Sequence, residues 1–233
     1  MQAVAPAILI IWRARWLPEG SRRFRLICVA SEAVPVLSTA RPCTIWPVTS
    51  PASLRRPAHL VGHAFGNRIA RCLAVGQPPL VRSVTLLAAG GLIALSTPIG
   101  THFRNATQAK MNGSDCVTVL GARWLSPASD PKILAHVECW PAVFIAHLAT
   151  SRNVPLEYWW TAGTAPLLVI QGLDDEAAPP GNGHALREQS GERVRVVDLP
   201  HAGHFMLLEQ PEAVARAVSE FLGQQRSRLM TPQ

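Results

Sequence analysis

One short stretch, residues 60–67, constrains the fold of this chain more than any other part of the sequence. An apolar run over 58–61 meets Gly62 and Gly66, which flank three other residues, and a helical pattern follows. Glycines in these places allow a strained turn that does not tolerate a side chain. The stretch therefore predicts a buried strand, a sharp turn and a helix, with Ala64 at the tip of the turn.

After this stretch, short apolar runs alternate with helical patterns, which predicts a mostly parallel α/β sheet with flanking helices. Strands are predicted at 58–61, 81–89, 166–171 and 194–199, and helices at 67–75, 184–190 and 212–222. Residues 92–163 mix short helical patches, tryptophans and turn signals, and we interpret them as an inserted helical lid. The last ten positions, 224–233, are expected to form a frayed tail.

The first 57 residues have a different character from the rest of the chain. Tryptophans stand among arginines with no sustained period of a strand or a helix. Prolines that would break a helix or a central strand recur through the second half of this segment: Pro35, Pro42, Pro47, Pro51 and Pro57. We expect an irregular amino-terminal segment, followed by a folded core at 58–223.

Composition limits the classes of protein to which the chain can belong. With 233 residues, 48% of them apolar and 16% charged, it is expected to be one globular domain and not a disordered chain. The net charge of +7 would suit a nucleic-acid partner. No nucleic-acid motif accompanies the charge, so we interpret the basic residues as a solvated face and expect no such partner.

Cofactor and compartment are predicted from what the sequence lacks. The five cysteines are widely spaced without a C-x-x-C pair, so neither a zinc site nor a disulfide framework is indicated. No phosphate-binding glycine loop or metal-ligand cluster is present, and we expect no cofactor. The apolar run at 5–11 is too short to span a membrane and lacks the features of a leader, so we expect a cytoplasmic protein without membrane contact.

Two further motifs follow predicted strands, and their order is informative. Gly172-Leu173-Asp174-Asp175 comes after the third strand, and Ala202-Gly203-His204 comes after the fourth. Turn, acid and histidine in this order, each at a strand end, resemble the active site of the α/β-hydrolases. In that family the tip of the turn is a nucleophilic serine, whereas this chain has alanine there.

The likeness narrows to one bacterial branch of that family. The segments GHAFGNRIAR, VRSVTLLAAGG, LLVIQGLDD and EQPEAVA together resemble members that also carry alanine at the tip of the turn. On this likeness Ala64 is the native residue. A deliberate serine-to-alanine substitution is the alternative.

The resemblance implies a role for each matching residue. Ala64 occupies the nucleophile position, Asp175 matches the acid and His204 matches the general base. Asp174, one position earlier, is the alternative acid. The backbone N–H of Phe65 would be one oxyanion donor. The competing interpretations are a solvent-facing turn carboxylate for Asp175 and a loop-capping imidazole for His204.

Four more residues are candidates for the surroundings of the site. His63 is expected to pack or form a hydrogen bond beside the turn, at the edge of a substrate pocket. Trp159 and Trp160 either pack the lid or form a wall of that pocket. His201 is expected to be a surface histidine.

The missing hydroxyl leaves three functional hypotheses. The first is a hydrolase of small ester or acyl substrates, in which Asp175 and His204 activate a water molecule in place of a serine. The second is a catalytically silent protein that binds a ligand or a partner. The third is a product without activity, damaged by a shift of reading frame. Ala64 favours the last two, and the retained acid and histidine favour the first.

The frame hypothesis concerns residues 1 to about 52. The first four strands of the family and its oxyanion loop are not visible in residues 1–57. Translation of a displaced frame permits text that resembles them, and the coding DNA decides the matter. Without those strands, residues 58–61 would form a sheet edge that faces water or an improvised neighbour, and the second oxyanion donor would be missing. We expect poor solubility, self-association or a makeshift covering of this edge by the proline-rich segment.

Overall fold

A parallel five-stranded sheet organises the part of the chain that the computed structural model describes, namely residues 26–29, 57–96, 98, 100–101, 123–134 and 154–230. The strands lie in chain order: β1 (Leu26–Val29), β2 (Ala58–His63), β3 (Val81–Leu87), β4 (Leu167–Gly172) and β5 (Val194–Leu199). Every neighbouring pair is parallel. The predicted α/β class and the predicted parallel sheet are confirmed.

Helices and short 3-10 turns connect these strands. In the described part of the chain, the α-helices with both ends defined are α1 (Phe65–Gly76), α2 (Gly181–Ser190), α3 (Met206–Glu209) and α4 (Pro211–Met230). The 3-10 turns are Pro78–Leu80, Pro131–Leu134, Leu156–Tyr158 and Gly191–Arg193. The helices expected at 67–75, 184–190 and 212–222 all form. Of the interpreted lid, 97, 99, 102–122 and 135–153 lie outside the described residues.

The predicted tail is wrong over most of its length, because α4 continues to Met230. α4 passes through Gly223, because glycine within a helix costs only about 1 kcal/mol relative to alanine. The residues after it include Gln, Arg, Leu and Met, which favour helix. Residues 231–233 lie outside the described part.

The hydrophobic core has two layers because successive side chains of each strand point to opposite faces of the sheet. Leu60, Leu86 and Val169 pack with Ala70 and Leu73 of α1 and Leu186 of α2. On the other face, Val61, Leu87 and Ile170 pack with Val214, Val218 and Phe221 of α4. Strands covered on both faces are apolar almost throughout, which is why their positions could be predicted.

The predicted edge position of the strand at 58–61 is wrong. β1 pairs with β2 in parallel, from Leu26 opposite His59 to Val29 opposite Gly62. The backbone groups on this side of β2 are therefore paired within the sheet, which leaves β1 as the outer strand. Except for 26–29 and Pro57, the segment predicted to be irregular lies outside the described residues.

Arg71 on α1 is a fully buried charge within the first core layer. Its guanidinium lies over the rings of Trp159 and Trp160, at 5.3 and 4.9 Å from their centroids. Within the described part of the chain, its Nε and Nη2 atoms have no hydrogen-bond partner. Burial, opposed by the Cys72 thiol and aided by Arg68, lowers the pKa of Arg71 to about 9. None of the described residues forms an ion pair with Arg71, so within this part of the chain no opposite charge offsets the desolvation cost of the cation.

We expect Arg71→Met to raise the free energy of unfolding by about 1–2 kcal/mol, because the methionine keeps most of the packing of the arginine stem and removes the buried charge. Urea denaturation at pH 7 measures the change. Arg216→Met, at an exposed position of α4, is the matched control and should alter stability by less than about 0.5 kcal/mol. A loss of about 1 kcal/mol or more in the Arg71 variant would mean that the ring contacts outweigh the desolvation.

Candidate active site

The turn between β2 and α1 has the strained geometry that its sequence predicts. Ala64 has φ 51 and ψ −116, a conformation that a residue with a side chain adopts at a cost of about 1–3 kcal/mol. A side chain at Gly62 would collide with the carbonyl oxygen of Gly66. Ala64 N–H donates to the carbonyl oxygen of Leu87 at 3.1 Å, which ties the tip of the turn to the end of β3.

The side chain of Asn67, in the first turn of α1, ties the start of this helix to the end of β3. Its amide nitrogen donates to the carbonyl oxygens of Leu87 and Ala88, at 2.8 and 2.9 Å. The side chain is buried, so the two bonds form away from water. Sequence reasoning did not identify this residue, because an asparagine early in a helix more often marks a cap than a link to a neighbouring strand.

Asp175 and His204 form a buried pair at the carboxyl edge of the sheet. His204 Nδ1 lies 2.9 Å from Asp175 Oδ2 and 3.1 Å from Oδ1. Asp175 is 3% and His204 is 6% exposed. The N–H groups of Ala177 and Ala178 also donate to Asp175 Oδ1, each at 2.8 Å. Together these four contacts fix the orientation of the Asp175 carboxylate relative to the imidazole of His204.

This contact sets the tautomer of the histidine. An ionised carboxylate only accepts hydrogen bonds, so Nδ1 must carry the proton that it shares with Asp175. The lone pair of the neutral ring is then on Nε2. A histidine oriented in this way by a carboxylate can act as a general base.

Asp174, the alternative acid, faces a different partner. Its Oδ2 atom accepts a hydrogen bond from the hydroxyl of Ser126 at 2.6 Å. The geometry therefore pairs Asp175 with the histidine, and Asp174 anchors the segment at 123–134.

His63 links the strained turn to the loop at 200–205, which carries His204 and is called the histidine loop below. Its Nε2–H donates to the carbonyl oxygen of His204 at 2.8 Å, and the two rings lie 5.0 Å apart. Burial first, and then the nearby His204, lower the pKa of His63 to about 4. The ring is thus a neutral hydrogen-bonding group next to Ala64. This contact brings the three predicted sites (turn, acid and histidine) to one place.

Trp124 also contacts His204 and was not identified as a site residue from the sequence. Its carbonyl oxygen accepts a hydrogen bond from His204 N–H at 2.6 Å. Its ring stands edge-on to the imidazole, with the centroids 4.8 Å apart. A side chain at Gly203 would collide with this same carbonyl group, which explains the glycine before the histidine.

Trp159 and Trp160 lie in the first core layer, 3% and 4% exposed. Trp159 packs under the guanidinium of Arg68 at 4.4 Å from its ring centroid, and Trp160 Nε1–H donates to Gln189 at 2.6 Å. The prediction that they form a wall of the pocket is therefore corrected in favour of the packing alternative, because their rings are enclosed by core side chains.

The remaining sequence candidates have definite places. Phe65 begins α1 directly after the turn, and His201 is exposed with φ 57. A cleft of about 420 Å³ opens beside the loop at 173–180, which carries Asp175 and is called the acid loop below. Arg123, Leu125, Pro127, Leu173, Asp174, Asp175 and Glu176 line it. In the described ranges, no group of three or more His, Cys, Asp or Glu side chains could hold a metal ion.

Comparison with known proteins supports the fold. The model of the alpha/beta hydrolase family matches residues 12–217. The chain belongs to this family. The displaced-frame hypothesis for residues 1 to about 52 stays a prediction, which the coding DNA would test.

One relative of this α/β-hydrolase comes from Mycobacterium tuberculosis and is named putative non-heme bromoperoxidase BpoC. It is 27% identical over 193 residues, which cover 71% of this chain and 68% of that protein. The crystal structure of BpoC matches with a TM-score of 0.53 and 26% identity, over 72% of this chain and 68% of that one.

A thermophilic esterase from Thermogutta terrifontis matches with a TM-score of 0.61 and 19% identity, over 75% of this chain and 68% of that one. At this identity the match supports the fold alone. In the described part of this α/β-hydrolase, no helix has both the length and the apolar character that crossing a bilayer requires.

The lowered pKa of His63 should make the fold acid-sensitive. The unfolded histidine takes up a proton near pH 6.5 and the folded one only near 4, so stability falls as the pH drops between these values. We expect His63→Gln to reduce the loss of unfolding free energy between about pH 7 and pH 4.5 by about 2 kcal/mol. Urea denaturation across this range measures it.

His59 also has its pKa lowered to about 4 by burial and by Arg82, but it is present in both proteins and cancels. His201→Asn, at an exposed position with positive φ, is the matched control and should leave the acid sensitivity unchanged. Equal acid sensitivity in the His63 variant and the parent would show that His63 is not held neutral.

Proposed function

We propose that this α/β-hydrolase hydrolyses small ester or acyl substrates, with Asp175 and His204 activating a water molecule at the turn of Ala64. The observation that supports this most is the buried bond from His204 Nδ1 to Asp175, which leaves Nε2 as the basic nitrogen. The hydrogen bond from His63 to the carbonyl oxygen of His204 also supports the proposal, because His63 is the chain neighbour of Ala64.

In this reaction the water oxygen bonds to the carbonyl carbon of the substrate, and a proton passes from the water to His204 Nε2. Asp175 stabilises the imidazolium that forms, as the acid does in a serine triad. The tetrahedral intermediate then expels the alcohol, which receives the proton from His204. Atoms and charge balance without a covalent enzyme intermediate.

The turn contributes space and polarity in this proposal. Alanine at position 64 leaves out a hydroxyl group, so water can approach where a serine oxygen would stand. Phe65 begins a 12-residue helix, whose amino-terminal end carries partial positive charge that would stabilise a developing oxyanion. The turn keeps its strained geometry, which in proteins concentrates at functional sites.

A second candidate is a catalytically silent protein that keeps the site for binding. Ala64 favours it, because alanine cannot attack a carbonyl group. Removal of the nucleophile from a serine triad lowers turnover by about 10⁶-fold, and what remains comes from binding and oxyanion stabilisation. The cytoplasmic location, the absence of a nucleic-acid partner and self-association remain predictions from the sequence. Because β1 pairs with β2, an exposed edge at 58–61 no longer supports the last of them.

Restoring the hydroxyl separates these candidates. We expect Ala64→Ser to raise the turnover of short p-nitrophenyl esters by at least about 10²-fold, because the pair that activates a nucleophile is already in place. The release of p-nitrophenol at pH 7.5 to 8 measures the rates of the parent and the variant.

His204→Ala, made in both proteins, is the control for the role of the histidine. If the proposed water activation is right, this substitution abolishes the slow turnover of the unchanged protein as well. Slow turnover that survives it would contradict the proposal. A parent without turnover, combined with an active Ala64→Ser variant, would establish the silent alternative. No turnover in a folded Ala64→Ser variant would refute ester hydrolysis at this site.

A further inference from the structure

The carboxylate of Glu209 joins two loops next to the histidine. Its Oε1 atom accepts hydrogen bonds from Ser126 N–H at 2.7 Å and from the Ser129 hydroxyl at 2.8 Å. Its Oε2 atom accepts one from Gly203 N–H at 2.9 Å. All three partners donate, so this position requires a group that only accepts. Hydrogen bonds to an ionised carboxylate are among the stronger ones in proteins.

The short helix that follows the histidine loop directs Glu209 back toward that loop. The four-residue helix α3 begins two positions after His204 and ends at Glu209. Leu208 N–H and Glu209 N–H both donate to the carbonyl oxygen of Phe205, at 2.7 and 3.1 Å. This single turn directs the half-buried Glu209 side chain toward Gly203, the residue immediately before the histidine.

The segment held by Glu209 is also the one that contacts the histidine directly. Trp124, two residues before Ser126, accepts the hydrogen bond from His204 N–H and places its ring against the imidazole. Ser126 also donates to Asp174, the neighbour of Asp175. Glu209 therefore joins the segment at 124–129 to the histidine loop, and the Ser126 hydroxyl joins the same segment to Asp174.

We infer that Glu209 is a positioning residue that holds the segment at 124–129 against the histidine loop and so keeps the His204 ring on Asp175. It touches neither the ring nor the reacting atoms in the proposed mechanism. Its effect on turnover therefore rests on the proposed function, whereas its effect on the ring does not.

The substitution Glu209→Gln tests the carboxylate with little change in shape. If the amide nitrogen replaces Oε2, it meets Gly203 N–H, and if it replaces Oε1 it meets Ser126 N–H. In either orientation a donor faces a donor, and at least one contact is lost. Glu209→Asp keeps the charge but is one methylene shorter, so it cannot reach all three partners.

The direct readout is the exchange of the His204 Nδ1 proton with water, measured by NMR on the full chain and assigned by its absence in His204→Gln. We expect Glu209→Gln to speed this exchange at least about tenfold, the factor that corresponds to losing one charge-assisted hydrogen bond. Ser129→Ala, which removes only the outer contact and spares Gly203, is the matched control and should change the rate less than about twofold.

Each comparison is made at the same interval below the melting temperature of each variant, so a loss of overall stability alone does not move the result. An unchanged exchange rate in folded Glu209→Gln overturns the inference. If that variant does not fold, Glu209→Asp decides: faster exchange than in the parent supports the inference, and an equal rate overturns it.

A kinetic readout follows in the Ala64→Ser protein, where we expect Glu209→Gln to lower kcat about tenfold with little change in KM. An equal loss in Ser129→Ala would contradict the positioning role. If Ala64→Ser shows no ester turnover, the proposed function fails, while the proton-exchange result still tests Glu209.

Discussion

The hydrogen bond between His204 and Asp175 is the interaction on which the rest of the site depends. Both side chains are buried, so the loss of either one would leave a buried polar atom of the other without its hydrogen bond, at a cost in stability. Two backbone N–H groups fix the carboxylate, and the carboxylate fixes the tautomer of the ring. The same orientation of His204 is assumed when the histidine activates a water molecule, when it activates a serine introduced at position 64, and when the site only binds a ligand.

The sheet makes this contact possible because parallel strands deliver their loops to one edge. β2 ends at the turn of Ala64, β4 at the acid loop and β5 at the histidine loop. Trp124 and Glu209 then connect loops that the strands only bring near each other. The scaffold supplies proximity, and the polar contacts between the loops supply orientation.

Most of the scaffold could be predicted from local sequence, because buried strands are continuous apolar runs and the strained turn needs its two glycines. The pairing of β1 could not, since a four-residue strand among arginines and prolines shows its partner only in three dimensions. The burial of Arg71 could not be predicted for a similar reason. An arginine on a helix is expected to face solvent, yet this one is buried against two tryptophans. In the site, the residues that belong to local motifs (Ala64, Asp175 and His204) could be predicted. Glu209 and Trp124 act through contacts between segments about 80 residues apart, which no local pattern indicates.

The proposed function requires that His204 can activate a nucleophilic oxygen at the turn of Ala64. Treating the Ala64→Ser protein with a fluorophosphonate, and locating the adduct by mass spectrometry, tests this arrangement without assuming any substrate. The account predicts a single adduct on the introduced serine, formed only while His204 and Asp175 are both present. A folded variant whose serine stays unmodified, or reacts equally well without His204, would contradict it.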